Sequence, residues 1–394
     1  MIFNIDEKLK HLDTESINNL MKLYYNNEKS ASELIKIYNI DISPSRLYKL
    51  FPPEKMNTKY CPYCGSEFYI NRPSKTIYPK NNNVAFCSTC THKDSLKCNC
   101  DNCTSKRKRE IKILEEQKKM EELEKRNLIN KLYDNSIINP LDINKLDFKD
   151  RIYLGTLLRY ALSEDMSNII PIENIDGVMA PVYLESDLLR HLYQKNIILV
   201  HPMSKTSAFK NDENFPSTFY MNLVNYNLNI QYEKDKSETI REIINPRIDI
   251  DVQQAYFIWN DIAMNECLEY LNYQMNKVGF DFNPGEKTIL VMNELLDNFS
   301  VSQIYSIIYR SITNATRYYQ EGNVSKKQAA NSVITKCQSY GEVALSNKWE
   351  IKGYSRIKDL PQSSLSEFLF NRVIKIGDNG FNAVPSIDFL VECT

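Results

Sequence analysis

Seven of the chain's ten cysteines lie between Cys61 and Cys103. Cys61-x2-Cys64 and Cys87-x2-Cys90 form two pairs separated by twenty-two residues. A Cys-x2-Cys turn delivers two thiolates to one metal, and two such turns complete the tetrahedral set that zinc prefers. Gly65 follows the first pair, where the backbone must turn tightly. Between the pairs, "EFYI" and "TIYP" supply strand material and "NRPSK" a turn, so a zinc ribbon is expected. Four buried thiols without a metal would leave so small a segment with no other source of stability.

Cys98-x-Cys100-x2-Cys103 supplies three further thiols, and His92 is the nearest fourth ligand. Cys3His is a structural zinc set, so a second zinc is expected there. Ligand exchange with the first site, or thiols that bind nothing, are the alternatives. Closed sites of four protein ligands leave no place for water and hold structure rather than hydrolyse substrates.

"SKRKRE" follows directly, placing Lys106, Arg107, Lys108 and Arg109 after the last thiol. Such a run can neutralise phosphates with counterion release, or it can be a solvated helix start. At a helix N-terminus it opposes the helix dipole, a mismatch that a bound phosphate or nearby carboxylates would relieve.

These residues need elements to position them. "TESINNLMKLYYNN", "SASELIKIYNI" and "SPSRLYKLF" read as three short helices, with Thr14, Ser30 and Ser43 as caps and Glu33 completing a capping box. Two short helices joined by "NIDI" have helix-turn-helix proportions. On the third, Ser45, Arg46 and Lys49 are the candidate nucleic-acid contacts: Arg46 suits a guanine edge and Lys49 a phosphate. Tri-helical units also dock proteins. Residues 105–135 contain no Gly or Pro and predict one long helix. Ile113, Met120, Leu123 and Leu128 give it a thin apolar stripe, that of a spacer or a weak coiled coil.

Farther on, "FKDRIYLGTLLRYAL" and "YLESDLLRHLYQKN" predict helices, with "IILVHP" and "STFYMNLVNYNLNIQY" as a strand pair. That order resembles a winged-helix layout. Beyond residue 250 nearly everything reads as helix. Near the end, Lys326, Lys327, Lys348, Trp349, Lys352, Tyr354 and Arg356 could form a phosphate-binding and stacking surface, although a single tryptophan usually anchors a loop to the core.

The formal charge is −1, from 49 basic and 50 acidic residues. It is uneven: residues 1–110 hold 18 Lys/Arg against 12 Asp/Glu, so the head is basic and the remainder acidic. That suggests an anionic partner for the head. No stretch approaches the roughly eighteen apolar residues of a membrane span, and the first residues lack the pattern of a secretory signal. A cytoplasmic location is expected, where clustered thiols act as metal ligands rather than disulfides. No phosphate-binding glycine loop, nucleophile elbow or H-E-x-x-H is present. His191 and His201 read as ordinary, partly buried histidines.

The order "CP-x-CG … C-x2-C … C-x-C-x2-C" and the tail "VSKKQAANSVI … EIKGYSR … PQSSLSEFLFNRVIKIGDNGF" are similar to uncharacterised bacterial zinc-ribbon proteins of mobile-element and phage-defence neighbourhoods. The resemblance spans residues 50–394. It implies metal ligation by Cys61, Cys64, Cys87, Cys90, Cys98, Cys100 and Cys103, and a setting in antiviral defence.

The sequence therefore predicts a mainly α, multidomain protein. Its expected parts are a helix-turn-helix-like unit (1–53), a zinc ribbon with a second zinc site (54–104), a charged linking helix (105–138), a winged-helix-like α+β unit (139–240) and a helical domain (250–394). The expected function is zinc-stabilised binding of nucleic acid, DNA above all. The alternatives are an adaptor or sensor subunit with a protein partner or a second copy, and an enzyme with an unrecognised site in the helical domain. No membrane partner is expected.

Overall fold

The computed structural model describes residues 5–78, 83–232, 235–322 and 324–393. The chain is mainly helical and divides into two compact units, Met1–Glu121 and Glu122–Thr394.

In the first unit, α1 (Thr14–Tyr25) is capped by Asp13 rather than Thr14, its carboxylate accepting from Ser16 N–H at 2.8 Å. Helix α2 (Ala31–Ile37) begins with the expected Ser30–Glu33 capping box. Leu9, Leu20, Leu34 and Leu47 close a small core beneath them. The third helix departs from expectation: Pro44–Leu50 is a 3-10 helix, and Ser43 makes no side-chain cap bond to it. Pro44 starts it, and Phe51, extended before Pro52, stops it after seven residues. The helix-turn-helix reading thus lacks an α-helical third element.

Next comes an antiparallel sheet in the order β1 (Glu54–Tyr60), β2 (Glu67–Ile70), β3 (Phe86–Cys87). Met56 pairs with Phe68, and the register shifts between Met56 and Tyr60. "EFYI" is a strand as expected, but "TIYP" is not its partner: residues 75–78 form a turn, and Pro79 lies outside the described residues. The Tyr25 hydroxyl donates to Pro73 O at 2.6 Å, and Lys75 lies over the Tyr24 ring, joining the helices to the sheet. Helix α3 (Asp101–Leu132) then runs through the division between the units.

In the second unit, α4 (Phe148–Ala161) and α5 (Val182–Gln194) precede the antiparallel pair β4 (Ile198–Val200) and β5 (Tyr226–Leu228). The expected long strand over 217–232 shortens to three residues because 220–223 form a turn, closed by Leu223 N–H donating to Tyr220 O at 3.0 Å. After α6 (Lys236–Ile244), α7 (Val252–Lys277) packs against α4, α5, α8 (Glu286–Leu296) and α9 (Val301–Gln320). Helix α10 (Lys326–Ser346) lies against α8 and α9. Residues read as two units, 139–240 and 250–394, contribute to one buried cluster: Leu188 and Leu192 of α5 share it with Trp259 of α7 and Phe368. Burial of α5's leucine face needs α7, so the two segments pack as one body.

Candidate metal centre

Strand β1 leads into a turn at Cys61–Gly65. Cys61 N–H donates to Ser66 O at 2.7 Å, and Gly65, left-handed at φ +70°, donates its N–H to Cys61 O at 2.9 Å. The second pair repeats this closure. Cys87 N–H donates to His92 O at 2.7 Å, and Thr91, at φ 57°, stands where Gly65 stands in the first turn. In each turn the next amide reaches a sulfur, Ser66 to Cys64 and His92 to Cys90.

This geometry brings four sulfurs together. Cys61 and Cys90 are 3.4 Å apart, Cys64 and Cys87 3.3 Å, and Cys64 and Cys90 3.6 Å. Metal–sulfur bonds near 2.3 Å give a tetrahedron with edges of about 3.8 Å, so the cage has the size a zinc ion needs. Hydrogen bonds from the Ser66 hydroxyl and amide lower the Cys64 thiol to about 6, while burial pushes Cys90 up to about 12. Four sulfurs this close cannot all ionise without a cation among them.

The second group is His92, Cys98, Cys100 and Cys103, with all ligand atoms within 4.8 Å of one another. His92 Nδ1 lies 3.2 Å from Cys103 Sγ and 3.6 Å from Cys100 Sγ. A mixed nitrogen–sulfur tetrahedron has edges of about 3.6 Å. Lys93 N–H donates to Cys98 Sγ at 3.1 Å. All four residues are buried, and Cys103 sits in the first turn of α3. The eight residues singled out in the sequence thus form two complete four-ligand sets, each able to hold a metal ion.

The two sets are joined. His92 gives its amide to the first and its ring to the second. Tyr63, inside the first Cys-x2-Cys turn, places its hydroxyl 3.4 Å from Cys103 Sγ and its ring edge-on to His92 at 4.9 Å. Sequence reasoning missed Tyr63. Its place between Cys61 and Cys64 was the one available signal.

The expected nucleic-acid contacts fare differently. Ser45, Arg46 and Lys49 are exposed on the 3-10 helix, while Leu47 and Leu50 point into the core. Lys106 pairs with Glu110 at 3.9 Å, and Lys108 and Arg109 are exposed. Arg107 folds back: its Nη2 donates to Cys98 O at 2.7 Å and to Asn99 Oδ1 at 3.2 Å, which ties α3 to the second metal loop.

Elsewhere, His191 Nε2 meets the buried Asp150 carboxylate at 2.7 Å beside Lys195. His201 Nδ1 accepts from Met203 N–H at 3.0 Å. Arg356 is partly buried, and its Nη1 meets both carboxylate oxygens of buried Glu266 at 3.1 Å. Trp349, read from the sequence as either part of a stacking surface or a loop anchor, is half-exposed. Among the described residues, no helix is long and apolar enough to cross a membrane. Comparison with family models, curated proteins and solved structures finds no match to this chain.

Proposed function

We propose that this chain is a zinc-stapled nucleic-acid-binding protein whose first unit meets the phosphate backbone. The observation that carries the reading is the pairing of two complete, closed ligand sets with a helix that starts inside the second set and displays Lys108 and Arg109. Two soft-ligand tetrahedra favour zinc, with iron the rival. In the 3-10 helix, positions three apart eclipse, so Arg46 and Lys49 stand on one edge about 6 Å apart along the axis. Both are exposed, as anion contacts must be. DNA duplex is the expected ligand, and the sequence resemblance supports a setting in bacterial defence or mobile elements.

Fluorescence anisotropy of a random DNA duplex across a salt series tests this. With Arg46, Lys49, Lys108 and Arg109 engaged, log Kd should change with log salt at a slope of about 4. Lys108→Gln with Arg109→Gln should remove about two units of that slope. Absence of binding at about 50 mM salt would refute the reading.

One observation favours a protein partner instead. Ile113, Met120 and Leu123 on α3 are 54%, 58% and 54% exposed, an apolar stripe without a cover among the described residues. A self-associating or adaptor protein would show concentration-dependent mass in sedimentation and no salt-linked affinity for DNA.

A further inference from the structure

One face of α9 and α10 leaves large aromatic side chains exposed. The chain's two tryptophans mark the contrast. Trp259 is sealed in the core, and its indole N–H donates to Gly380 O at 2.8 Å. Trp349, just past α10, is 50% exposed. Its backbone is fixed: Lys348 turns the chain in the left-handed region at φ 52°, and Trp349 N–H donates to Ala344 O at 2.8 Å.

Cations and further rings surround it. The Trp349 ring is 6.0 Å from that of Tyr340. Arg310 lies over the Tyr340 ring at 4.9 Å and donates from Nη1 to its hydroxyl. Lys336 lies 5.6 Å over the ring of Tyr318, which is 40% exposed. Arg310, Asn314, Lys336, Ser339, Tyr340 and Trp349 are among the residues that line an open groove of about 610 Å³. No carboxylate is among the groove's lining residues. Lys287 adds a third cation beside it, donating to the lining Thr335 hydroxyl at 2.9 Å.

A fixed, solvent-facing indole beside a tyrosine offers flat faces for unpaired bases, and flanking cations without carboxylates suit a phosphodiester chain. Bases within a duplex are already stacked on each other and cannot use such faces. We propose that this groove binds single-stranded nucleic acid, with bases on Trp349 and Tyr340 and phosphates against Arg310 and Lys336. The ligand class rests on the nucleic-acid reading above, but the surface is a different one and needs none of the metal ligands.

Tryptophan emission of the full, metal-loaded chain tests it, because sealed Trp259 should stay silent. Adding an oligothymidylate of about twelve nucleotides should quench the emission to saturation. The quench should vanish in Trp349→Phe. Affinity read by anisotropy should fall about tenfold in Trp349→Ala, and Lys336→Gln should lower the salt slope by about one unit. Unchanged circular dichroism keeps these comparisons valid. A duplex of equal length should leave the emission unchanged.

Oligonucleotide binding that leaves Trp349 emission and the Trp349→Ala affinity untouched overturns the groove. The reading of the first unit would then survive if Lys108→Gln with Arg109→Gln still weakens duplex binding. Quenching by polyglutamate in place of the oligonucleotide overturns it in favour of an acidic protein partner. If neither oligonucleotide nor duplex binds, both readings fail.

Discussion

Removing the metal should unfold the ribbon and leave the second unit standing, and a thiol count can read this residue by residue. The ribbon's own buried cluster consists of Phe68 and Ala85 with Cys61 and Cys87. Burying a phenylalanine contributes about 3 kcal/mol, whereas ordering each residue's backbone costs about 1–2 kcal/mol. A structural zinc contributes on the order of 10 kcal/mol or more. Without its metals, the segment from Cys61 to Cys103 has too little burial to hold its turns.

An aromatic disulfide reagent would follow the transition. Of the ten cysteines, seven lie in the two ligand sets, Cys267 and Cys337 are fully buried in the second unit, and Cys393 is exposed. The loaded protein should show one fast thiol, Cys393. After chelation, eight should react fast, while Cys267 and Cys337 wait for denaturant. Most of the helical circular dichroism should persist, since the helices of residues 122–394 do not involve the metal ligands. Elemental analysis should give two zinc ions per chain. Ribbon thiols that remain slow in metal-free protein would refute the argument. One zinc per chain, with Cys98, Cys100 and Cys103 reactive beforehand, would refute the second site alone.

Three further outcomes follow from single contacts. Tyr63→Phe removes the hydroxyl beside Cys103 Sγ and should weaken zinc at the second site about tenfold, read by competition with a chromogenic chelator, while the first site is unaffected. Gly155→Ala would place a Cβ 2.5 Å from the Phe368 ring and 3.0 Å from Ile243 O, so urea unfolding should report a loss of about 2–3 kcal/mol. Burial pushes Glu266 up to about 7 despite Arg356, against about 4.3 in an unfolded chain. Between those values the folded state holds a proton that the unfolded state releases, so stability should fall as pH rises through that window. Glu266→Gln should flatten the slope, and an unchanged slope would reject the assignment.

What could be read from the sequence followed the range of the interactions concerned. The groups able to hold a metal were legible because the cysteine spacings are local geometry, and so was the Ser30–Glu33 cap, complete within four residues. The third helix was misread because Pro44 and Pro52 set its ends correctly, while the choice between α and 3-10 depends on how Leu47 and Leu50 reach the core. The long strand over 217–232 failed because alternation describes a surface without saying whether a partner runs beside it; β4 is only three residues long. Burial of α5's leucines against α7 is a contact between residues far apart in sequence, and no local pattern encodes it. For the same reason the sequence left Trp349 open between a stacking surface and a loop anchor: its exposure is decided by what α9 and α10 leave uncovered.

The basic run after the last thiol presents a conflict that the structure resolves. Lys106 to Arg109 begin five residues after the first residue of α3, near the positive end of its dipole, which cations oppose. Helix α3, however, starts on Asp101 and Cys103, next to Cys98 and Cys100. With a divalent ion bound there, three thiolates and a neutral imidazole would leave one net negative charge at that end. Arg107 completes the compensation by bonding the Cys98 carbonyl rather than solvent. A metal ion held by this centre would therefore do two things at once: fold the loop, and place negative charge beside the basic turn. Lys108 and Arg109 stay exposed without destabilising the helix that carries them. Metal loss should thus fray the start of α3 as well as unfold the ribbon, and amide hydrogen exchange should rise first over residues 101–110. Protection there that survives chelation would show that the helix needs no such counter-charge.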